Sequence, residues 1–558
     1  MILAQSKQIE EYNLKGWWGT KTLLDYFHEH VMEMPEHIAL VDPLNREELT
    51  GTAPERLSYQ ELEDVVQKVA GALVALGIQK DDILMVQLPN TWELAMLYLA
   101  IARVGALISP IPMQWRLNEL TYVARLTEAK AFITIEKFRD TMHEEMGQEL
   151  QQLLPGLKHC ISLKTVRDWA KGNGTRMDDQ AAEQVKPLAN DIFTLCWTSG
   201  TEADPKGCPM SHNNWIFQCN ISIQAADIHK GDVQFTAGPL INMASLGTTF
   251  IPWLMLGGTY VLHHPFNPQV FVKQMIQEKV NYTLLVPAVA NLLAKHPNAD
   301  QFDFSSVRSI TLGSAPLSLF AMQEFKRRWN IDIGNIWGQN EGTGIVSGPG
   351  DVPNIEERVD HLPQFGKAGS TWNSFIEGIE SKIVDQQTGQ ELTGVGEIGE
   401  LAYKGPNVFS GYYKRPDLTA KAFDKDRFFY TGDLFQIREK NCISFFDRKK
   451  DIIIRGGHNI SAQEVENILI SHTKISDVAA VGMPDSILGE RTCVFVVTQP
   501  GETLDLTDVK AFMHDQKVAT YKWPERVELI DSIPRNSTGK ILKAPLRERL
   551  RERLRERD

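Results

Sequence analysis

The chain has 558 residues, of which 42% are hydrophobic and 23% are charged, an ordinary globular balance. That length is too great for one hydrophobic core and predicts more than one domain. The formal net charge of −13 at pH 7 argues against a nucleic-acid-binding platform.

Neither a membrane span nor a secretory leader is predicted. The longest apolar stretch, residues 250–262, is interrupted by Pro252, Gly257 and Gly258 and falls short of the roughly 20 residues that a bilayer requires. Residues 1–7 lack a basic region followed by an apolar run. We therefore expect a cytoplasmic protein with no integral membrane segment.

Cysteine spacing excludes two classes of small-domain architecture. Six cysteines, at positions 160, 196, 208, 219, 442 and 493, are scattered without any C-x-x-C pair. This spacing predicts reduced, buried thiols rather than a disulfide framework or a zinc site.

Apolar periodicity in the first third of the chain alternates between helical and strand patterns. Gly77 ends the first helical pattern, and Pro89-Asn90 closes the strand pattern that follows it. The predicted elements are, in chain order, a helix over 62–76, a strand over 83–88, a helix over 93–104 and a strand over 131–135. Such alternation predicts βα units around a mostly parallel sheet.

The same alternation of helical and strand patterns continues beyond residue 190, and from about residue 370 the pattern changes. Further strands are predicted over residues 193–197, 259–262, 282–286 and 309–312. From about residue 370 to 446, short alternating runs separated by Gly and Asn predict a small antiparallel β subdomain. A charged cluster at 447–451 precedes an α+β segment that ends in a repeated R-E-R-L helix.

These patterns predict an α/β fold in two domains. The large N-terminal domain, residues 1–449, would contain two βα-layered subdomains and the small β subdomain. A small α+β C-terminal domain would follow over residues 450–558.

A loop rich in small and hydroxyl residues follows the strand predicted at 193–197. Its sequence, from Trp197 to Gly207, is W-T-S-G-T-E-A-D-P-K-G. Backbone N–H groups and hydroxyls in such a loop bind phosphate oxygens, and Lys206 adds a counter-charge. The G-x-x-x-x-G-K-[ST] spacing of a Walker A loop is absent, so this segment alone leaves an ordinary surface turn as an equal alternative.

Five later segments follow this loop in a fixed order. They are G-S-A-P-L at 313–317, W-G-Q-N-E at 337–341, Y-T-G-D at 430–433, R-K-K-D…G-G-H-N-I…E-V-E at 448–466 and P-R-N-S-T-G-K at 534–540. Together the six segments closely resemble the motifs of the adenylate-forming superfamily. That superfamily includes acyl- and aryl-CoA synthetases, firefly luciferase and peptide-synthetase adenylation domains. The resemblance covers nearly the whole chain.

The resemblance implies that ATP activates a carboxylic acid as an acyl-adenylate, which then passes its acyl group to coenzyme A. Lys540 would bridge the attacking carboxylate and the α-phosphate, and Lys206 would add positive charge at the phosphates. Glu341 would bind Mg²⁺ together with Thr198. The implied ATP-binding residues are Thr198, Ser199, Gly200, Thr201, Gly313, Ser314, Ala315, Pro316, Trp337, Gly338, Gln339, Asn340, Asp433 and Arg448.

In this superfamily the C-terminal domain rotates between the two steps. The resemblance therefore implies that residues 450–558 are mobile, with a hinge at Lys450. Rotation would withdraw Lys540 and bring in Gly456 and Gly457, where a backbone without side chains can approach the pantetheine arm of coenzyme A. His458 is a candidate base for the thiol, but it occupies a variable position and a non-catalytic role is favoured.

Four positions depart from the superfamily pattern. The loop has Glu202-Ala203 where Thr-Gly is usual, and Asn340 replaces a threonine that would contact the α-phosphate. Asp447 replaces a glycine before the hinge arginine, and Asn242 replaces a histidine that borders the acyl pocket. These departures bear on rate and substrate rather than on reaction class.

The acid site is expected to be roomy and mostly apolar, which suits a bulky alicyclic, aromatic or medium-to-long acyl group. A neutral Asn242 offers no charge to a substrate ammonium, so an α-amino acid is disfavoured. Together with Ser245 and Thr248, Asn242 could bind a hydroxyl or carbonyl on the acid. The candidate acid-binding residues are Asn242, Met243, Leu246 and Gly247.

Three alternatives stay open at this point. The acceptor could be an acyl carrier protein rather than free coenzyme A, the adenylate could be oxidised as in luciferase, or the chain could be a catalytically dead homologue that binds an acyl ligand. The expected partners are a small carboxylic acid, ATP and coenzyme A. Homodimerisation is left open.

Overall fold

The computed structural model describes residues 1–172, 175–178, 185–198, 204–367, 372, 377–456, 458–485, 487–536 and 539–555. The chain divides into two compact units. The first holds the described residues of 1–198, 204–380 and 404–427, and the second holds those of 381–403 and 428–558. The second unit therefore includes most strands of the predicted β subdomain. The domain boundary predicted at 449/450 was placed where the C-terminal domain is expected to rotate, and it stays a prediction.

The first unit contains most of the helices. They are α1 (Ser6–Leu14), α2 (Leu23–Glu33), α3 (Arg46–Thr50), α4 (Tyr59–Ala75), α5 (Trp92–Arg103), α6 (Leu117–Thr127), α7 (His143–Leu153), α8 (Leu163–Lys171), α9 (His212–Ala225), α10 (Met243–Ser245), α11 (Ile251–Leu256), α12 (Pro268–Gln277), α13 (Pro287–Ala294), α14 (Leu319–Trp329), α15 (Ile355–Arg358) and α16 (Pro416–Ala422). A π-helical turn, Leu246–Phe250, joins α10 to α11.

The strands described in the first unit, all but the last, form two sheets. They are β1 (Ile38–Val41), β2 (Arg56–Ser58), β3 (Ile83–Gln87), β4 (Leu107–Pro110), β5 (Ala131–Thr134), β6 (His159–Ser162), β7 (Ile192–Trp197), β8 (Gly207–Ser211), β9 (Val233–Thr236), β10 (Thr259–Leu262), β11 (Tyr282–Leu285), β12 (Ser309–Gly313), β13 (Asp332–Gly338), β14 (Gly344–Ser347) and β15 (Leu362–Pro363).

The first sheet has the order β6-β5-β3-β4-β7-β8 and is parallel except for its last pair. Its central strands are buried along their whole length, which explains why they appear in the sequence as continuous apolar runs. Helices α6 and α7 pack on one side through Leu120, Val123 and Leu150.

The second sheet has the order β14-β13-β12-β11-β9-β10-β1-β2. Its six central strands are parallel, and β14 and β2 pair antiparallel at the two edges. Phe235, Ile310 and Ile333 contribute to the core on one face of this sheet, together with residues of α12, α13 and α14. Both sheets confirm the prediction of βα-layered subdomains in a mixed α/β fold.

The second unit contains two further sheets. Its elements are β16 (Glu380–Val384), β17 (Glu391–Leu392), β18 (Ile398–Lys404), β19 (Phe429–Ile437), β20 (Cys442–Arg448), β21 (Ile453–Arg455), β22 (His458–Ile460), α17 (Ala462–Leu469), β23 (Ile475–Asp485), β24 (Gly489–Thr498), α18 (Leu506–Asp515), β25 (Arg526–Leu529) and α19 (Lys543–Arg555). One sheet contains the order β20-β19-β18-β16-β17, and the other has the order β22-β21-β24-β23 with β25 parallel to β24.

Local chemistry explains the boundaries of the first long predicted helix, α4. Ser58 accepts a hydrogen bond from the Glu61 N–H, and the Glu61 carboxylate accepts one from the Ser58 N–H, so a capping box begins the helix. Gly77 follows the helix with φ +82°, a conformation that costs glycine little. The helices and strands predicted between residues 62 and 312 are all confirmed, with boundaries shifted by up to three residues.

The structure bears out the prediction of unpaired thiols. All six cysteines are unpaired, and each is buried except Cys160, which is half-buried. Burial raises the pKa of Cys160 to about 11 and those of Cys196 and Cys493 to about 12, so these thiols stay protonated at neutral pH. Among the described residues, no helix is both long enough and apolar enough to cross a bilayer.

Buried histidines predict how stability depends on pH. His212 is 1% exposed and its Nδ1 accepts a hydrogen bond of 3.2 Å from the Leu23 N–H. Burial lowers the pKa of His212 to about 4, and also lowers that of His263 to about 4. Because these folded-state pKa values lie below the unfolded value of about 6.5, stability is fully present above pH 6.5. It is lost as pH falls toward 4, by up to about 3 kcal/mol for each histidine.

We therefore expect the His212→Asn variant, whose amide oxygen can accept the same hydrogen bond, to lose less stability than wild type between pH 7 and pH 5. The difference in apparent Tm loss should be about 2 °C or more, measured by thermal unfolding at both pH values. His229→Gln, which changes an exposed histidine, should behave like wild type. Equal Tm losses in His212→Asn and wild type would contradict the assignment.

Candidate active site

The predicted phosphate loop begins where β7 ends. Ser199, Gly200 and Thr201, and the departure Glu202-Ala203, lie outside the described residues. On either side of them the chain is joined: the Thr198 N–H donates to the Lys206 carbonyl at 3.0 Å, and the Lys206 N–H lies 3.4 Å from Thr198 Oγ1. The two bonds extend the β7–β8 pairing and place Thr198 next to Lys206.

Glu341, Tyr412 and Lys206 form a connected polar cluster. Glu341 is 6% exposed, and its Oε1 accepts a hydrogen bond of 2.9 Å from the Tyr412 hydroxyl. The same hydroxyl accepts a bond of 3.0 Å from Lys206 Nζ, which also lies 4.3 Å from the centre of the Tyr412 ring. Burial and the neighbouring Glu341 carboxylate raise the pKa of Tyr412, so the phenol keeps its proton and donates it to the carboxylate.

Tyr412 was not predicted from the sequence. Tyr412 lies in G-Y-Y-K, 71 residues after Glu341, and neither its residue type nor this position predicts a contact with that carboxylate. The sequence shows only that a glycine, Gly411, precedes Tyr412; in the structure its φ of +140° allows the sharp turn before the tyrosine. The turn is tight because a Cβ on Gly411 would lie 2.5 Å from Thr419 Cγ2.

The donor set of this cluster fits Mg²⁺ held mainly by a nucleotide. Among the described residues, no group of three or more His, Cys, Asp or Glu side chains is placed to hold a metal ion. Mg²⁺ commonly takes only one or two protein oxygens and completes its shell with phosphate and water. One buried carboxylate on Glu341 and one hydroxyl on Thr198 match that pattern.

The segment 337–341 forms the end of β13 and the turn into β14. Trp337 is half-buried and Gly338 is exposed. The Gln339 N–H donates to the Thr343 carbonyl at 2.9 Å, which closes the turn. Gly342 has φ +92°, and a Cβ there would lie 2.1 Å from the Asn407 carbonyl oxygen, so only glycine fits beside Glu341.

The segment predicted to line the adenine lies at the adjacent strand end. Gly313 is the last residue of β12 and pairs with Ile336 of β13, and a Cβ on Gly313 would lie 2.4 Å from Ile336 Cγ2. Ser314 follows with φ +71°, and residues 314–316, which include Ala315 and Pro316, are exposed. The structure thus brings the 313–316 and 337–341 segments together, as the carboxyl ends of neighbouring parallel strands.

The candidate acid-binding residues lie on the short helical run after β9. Asn242 caps α10, since its Oδ1 accepts a hydrogen bond of 3.3 Å from the Ser245 N–H. Met243, Leu246 and Gly247 are buried, and a Cβ on Gly247 would lie 2.9 Å from Met243 Sδ. The small residues expected to leave room in a pocket therefore serve close packing as well.

Thr248 was predicted as a reader of substrate hydroxyls. Its hydroxyl instead donates to the Ala244 carbonyl at 2.5 Å, and the side chain is 1% exposed. Such bonding to the preceding turn is common for threonine within helices. The Thr248 hydroxyl hydrogen is thus used within the helix and is not available to a substrate. Asn242, which is partly exposed, is the stronger candidate for binding a hydroxyl or carbonyl of the acid.

Asp433 and Arg448 face each other in the second unit. They are cross-strand partners in β19 and β20, with Arg448 Nε 3.8 Å from Asp433 Oδ1. Asp433 is 5% exposed, while Arg448 is half-buried. Arg448 is thus paired with Asp433, the other predicted nucleotide-binding residue of this sheet.

Hydrogen bonds hold the segment around the predicted hinge, residues 447–451. The Asp447 carboxylate, 3% exposed, accepts hydrogen bonds from the Ser461 hydroxyl at 2.8 Å and the Gln463 N–H at 3.1 Å. Arg547 of α19 donates to the Lys450 carbonyl at 3.2 Å and to Asp451 at 2.7 Å. The departure at Asp447 therefore ties the strand before Lys450 to the N-cap, Ser461, and the first turn of α17.

The loop predicted to approach pantetheine is the β21–β22 turn. Gly456 is exposed with φ +56°, and its N–H donates to the Leu488 carbonyl at 2.7 Å. Gly457 lies outside the described residues. His458 is exposed and stacks on Tyr521 with ring centres 4.5 Å apart, and the non-catalytic role favoured for it stays a prediction.

Lys540 sits in a short hairpin closed by Arg535 and Asn536. The Lys540 N–H donates to Asn536 Oδ1, and the Asn536 N–H donates to the Lys540 carbonyl, both at 2.9 Å. Arg535 donates to the Gly539 carbonyl at 2.7 Å and pairs with Asp477 at 2.8 Å. The half-buried Lys540 is therefore presented by an anchored hairpin within the second unit.

The described residues form a mixed α/β fold in which two sheets place loops at the carboxyl ends of their strands and a second unit carries the Lys540 segment. A family model for AMP-binding enzymes matches residues 27–413, and a model for the AMP-binding enzyme C-terminal domain matches residues 464–540. The chain belongs to this family of AMP-forming ligases, the adenylate-forming superfamily. This confirms the resemblance found in its motifs.

Relatives of two kinds match nearly the whole chain. A medium-chain fatty-acid–CoA ligase of Escherichia coli (strain K12) is 31% identical over 96% of this chain and 92% of its own. A 2,3-dihydroxybenzoate-AMP ligase of Bacillus subtilis (strain 168) is 29% identical over 97% of this chain and 95% of its own. The ATP-bound structure of MatB from Rhodopseudomonas palustris superposes with a TM-score of 0.79 at 25% identity and covers 95% of this chain and 99% of that one.

The Glu341–Tyr412–Lys206 cluster generates a prediction for Tyr412→Phe. Loss of the hydroxyl leaves a buried carboxylate and an ammonium without their shared partner, which should lower the free energy of unfolding by about 1–3 kcal/mol. Denaturant unfolding would measure this. Tyr413→Phe changes a neighbouring ring that is equally buried and lacks that bridge, and it is the matched control. Equal stability in the two variants would show that the bridge contributes nothing.

Proposed function

We propose that this protein is an ATP-dependent acyl-CoA synthetase. It converts a carboxylic acid and ATP to acyl-AMP and pyrophosphate, and then transfers the acyl group from the adenylate to the thiol of coenzyme A with release of AMP. The observation that carries the first step is the buried Glu341 carboxylate, hydrogen-bonded through Tyr412 to Lys206 next to Thr198. A cation and a fixed carboxylate beside a phosphate loop support phosphoryl chemistry.

Within this proposal, the chain's own residues position and stabilise rather than react covalently. The carboxylate of the acid attacks the α-phosphorus, and charge grows on the phosphoryl oxygens as pyrophosphate leaves. Lys206 and Lys540 supply positive charge to these oxygens. Asp433 accepts hydrogen bonds from the ribose hydroxyls, and Arg448, its cross-strand partner, binds the ribose or phosphate side.

Glu341 and Thr198 would hold Mg²⁺ at the phosphates, where the ion neutralises charge on the nucleotide. Tyr412 serves this arrangement indirectly, because its hydroxyl fixes one Glu341 oxygen and leaves the carboxylate in a single orientation. Lys206, which donates to the other side of that hydroxyl, would change partners toward a phosphate when ATP binds.

The acid is inferred to be bulky, mostly apolar and without an α-amino group. Buried Met243, Leu246 and Gly247 support an apolar site, and the neutral Asn242 offers no counter-charge for an ammonium. The E. coli and B. subtilis relatives are named for a medium-chain fatty acid and an aromatic acid respectively, which supports testing both classes.

An acyl-AMP ligase that loads a carrier protein is the second candidate, because AMP ligases stand beside CoA ligases among the relatives. The two acceptors end in the same phosphopantetheine thiol, so the exposed Gly456 turn suits either. Thioester formation separates them: free coenzyme A is compared with a phosphopantetheinylated acyl or aryl carrier protein at equal thiol concentration. A cytoplasmic location and a homodimer stay predictions from the sequence.

Acid-dependent ATP–pyrophosphate exchange without coenzyme A tests the proposed first step. A panel of aliphatic, aromatic, alicyclic and steroid-like acids should give strong exchange with one class. Lys540→Ala should lower that exchange about 100-fold or more, since it removes a charge that stabilises the transition state. Lys510→Ala, which changes a partly exposed lysine on α18, should retain wild-type exchange.

Two results would count against the proposal. ATP binding without exchange for any acid of a broad panel would favour the catalytically dead homologue. Equal loss in the Lys540 and Lys510 variants would mean that Lys540 has no special part in the chemistry. Light emission with oxygen would instead support the oxidative alternative.

Asn242→His tests the acid site. Because Asn242 borders the predicted pocket, histidine should change the order of preferred acids in the exchange panel. It should also lower stability by about 1 kcal/mol through loss of the helix cap. Asn242→Ser keeps a capping oxygen and shortens the side chain, so it should change acid preference without the stability loss. An unchanged acid profile in both variants would remove Asn242 from the site.

A further inference from the structure

The Asn340 side chain bridges two backbone segments. Its Nδ2 donates to the Trp197 carbonyl at 2.9 Å, and its Oδ1 accepts a hydrogen bond of 2.8 Å from the Met243 N–H. The first partner is the last residue of β7, and the second is the first residue of α10. One amide thereby uses a donor and an acceptor on two main-chain groups that lie far apart in sequence.

The bridge joins three of the motifs that the proposed reaction requires. Thr198 follows Trp197 directly, Asn242 precedes Met243 directly, and Glu341 follows Asn340. The strand end that enters the phosphate loop, the start of the acid-binding helix and the buried carboxylate are therefore connected through one side chain. Hydrogen bonds of this supporting kind fix the geometry of groups that touch a substrate.

The other end of the acid-binding segment is fixed independently of Asn340. Asn90 donates to the Gly238 carbonyl at 2.8 Å and accepts from the Leu240 N–H at 3.1 Å. The Tyr98 hydroxyl donates to the Leu240 carbonyl at 2.6 Å. Residues 238–243 are thus held at the start by Asn90 and Tyr98 and at the end by Asn340, so loss of Asn340 should release only the end that enters α10.

We propose that Asn340 is a positioning residue that sets the acid-binding segment against the strand end of the phosphate loop, and so determines acid affinity and selectivity. This inference rests on the proposed function. It differs from the role that the threonine of the superfamily motif would have at the α-phosphate, because the Asn340 oxygen and an Nδ2 hydrogen are used on the backbone.

Side-chain chemistry makes the two roles separable. Threonine at this position would restore the superfamily residue, but its side chain is one atom shorter and offers one polar atom. Asn340 reaches the Met243 N–H and the Trp197 carbonyl with two different atoms, so a single hydroxyl oxygen would have to lie within hydrogen-bond distance of both groups at once. Aspartate keeps an acceptor for the Met243 N–H and presents an oxygen to the Trp197 carbonyl, which repels it. A role at the phosphate predicts that threonine is neutral or beneficial, whereas the bridge predicts that it is harmful.

The kinetic test uses ATP–pyrophosphate exchange with the preferred acid. Asn340→Thr and Asn340→Asp should each raise the KM for the acid about 10-fold, with the KM for ATP within about twofold of wild type. Asn335→Ala is the matched control, since Asn335 lies on the same strand, β13, and its Nδ2 also donates to backbone carbonyls, those of Arg358 and Val359. Its acid KM should not change.

A second measurement needs no substrate, so it distinguishes failure of this inference from failure of the proposed function. Hydrogen exchange of the Met243 amide should become at least 10-fold faster in Asn340→Ala, because that N–H loses its acceptor. The Leu240 amide, held by Asn90, should keep its wild-type exchange rate.

The inference is overturned by either of two results. One is an acid KM for Asn340→Thr that equals wild type while kcat changes, which is the signature of a phosphate contact. The other is unchanged Met243 exchange in Asn340→Ala. A third result separates the two proposals. Faster hydrogen exchange of the Met243 amide in Asn340→Ala, in a protein without ATP–pyrophosphate exchange activity for any acid, would uphold the bridge and reject the ligase function.

Discussion

The buried carboxylate of Glu341 is the constraint around which the first unit arranges its polar groups. A desolvated carboxylate is costly unless it is hydrogen-bonded and near a positive charge. Tyr412 supplies the hydrogen bond and Lys206 the charge, and both come from parts of the chain remote from Glu341. The same arrangement that stabilises the carboxylate also brings a carboxylate oxygen and a cation to one hydroxyl, which are the groups that the proposed reaction needs near its phosphates.

The other groups of the first unit follow from parallel-strand geometry. Thr198 follows β7, Gly313 ends β12, and Asn340 follows β13, so each lies at the carboxyl end of a strand. Ligands of open α/β sheets bind at such ends because the connecting loops converge there. The bridge from Asn340 to Trp197 and Met243 then joins loops of two different sheets, which strand order alone does not do.

The second unit holds its predicted nucleotide and lysine residues, and the segment predicted as a hinge, through hydrogen bonds and strand pairing. Asp433 and Arg448 are fixed by β19–β20 pairing, and Lys540 is fixed by its hairpin. Between them, Asp447 accepts hydrogen bonds from Ser461 and from the first turn of α17, and Arg547 donates to the Lys450 carbonyl. A rotation at Lys450 would have to break the hydrogen bonds from Ser461 and Gln463 to Asp447, because these bonds join residues on opposite sides of Lys450. The aspartate that replaces the usual glycine thus adds a contact to be broken.

The sequence by itself determined the family, the βα alternation and the order of the motifs. Apolar periodicity and short motifs are local properties, so they survive without knowledge of the fold. Only the tertiary structure decided which residues meet: that Tyr412 bridges Glu341 and Lys206, that Arg448 pairs with Asp433, that Thr248 spends its hydroxyl on the backbone, and that Asn340 joins two sheets. Those contacts either link residues far apart in the chain or depend on the direction in which a side chain points. Neither property produces a periodic pattern or a short motif, so neither can be predicted from the sequence alone.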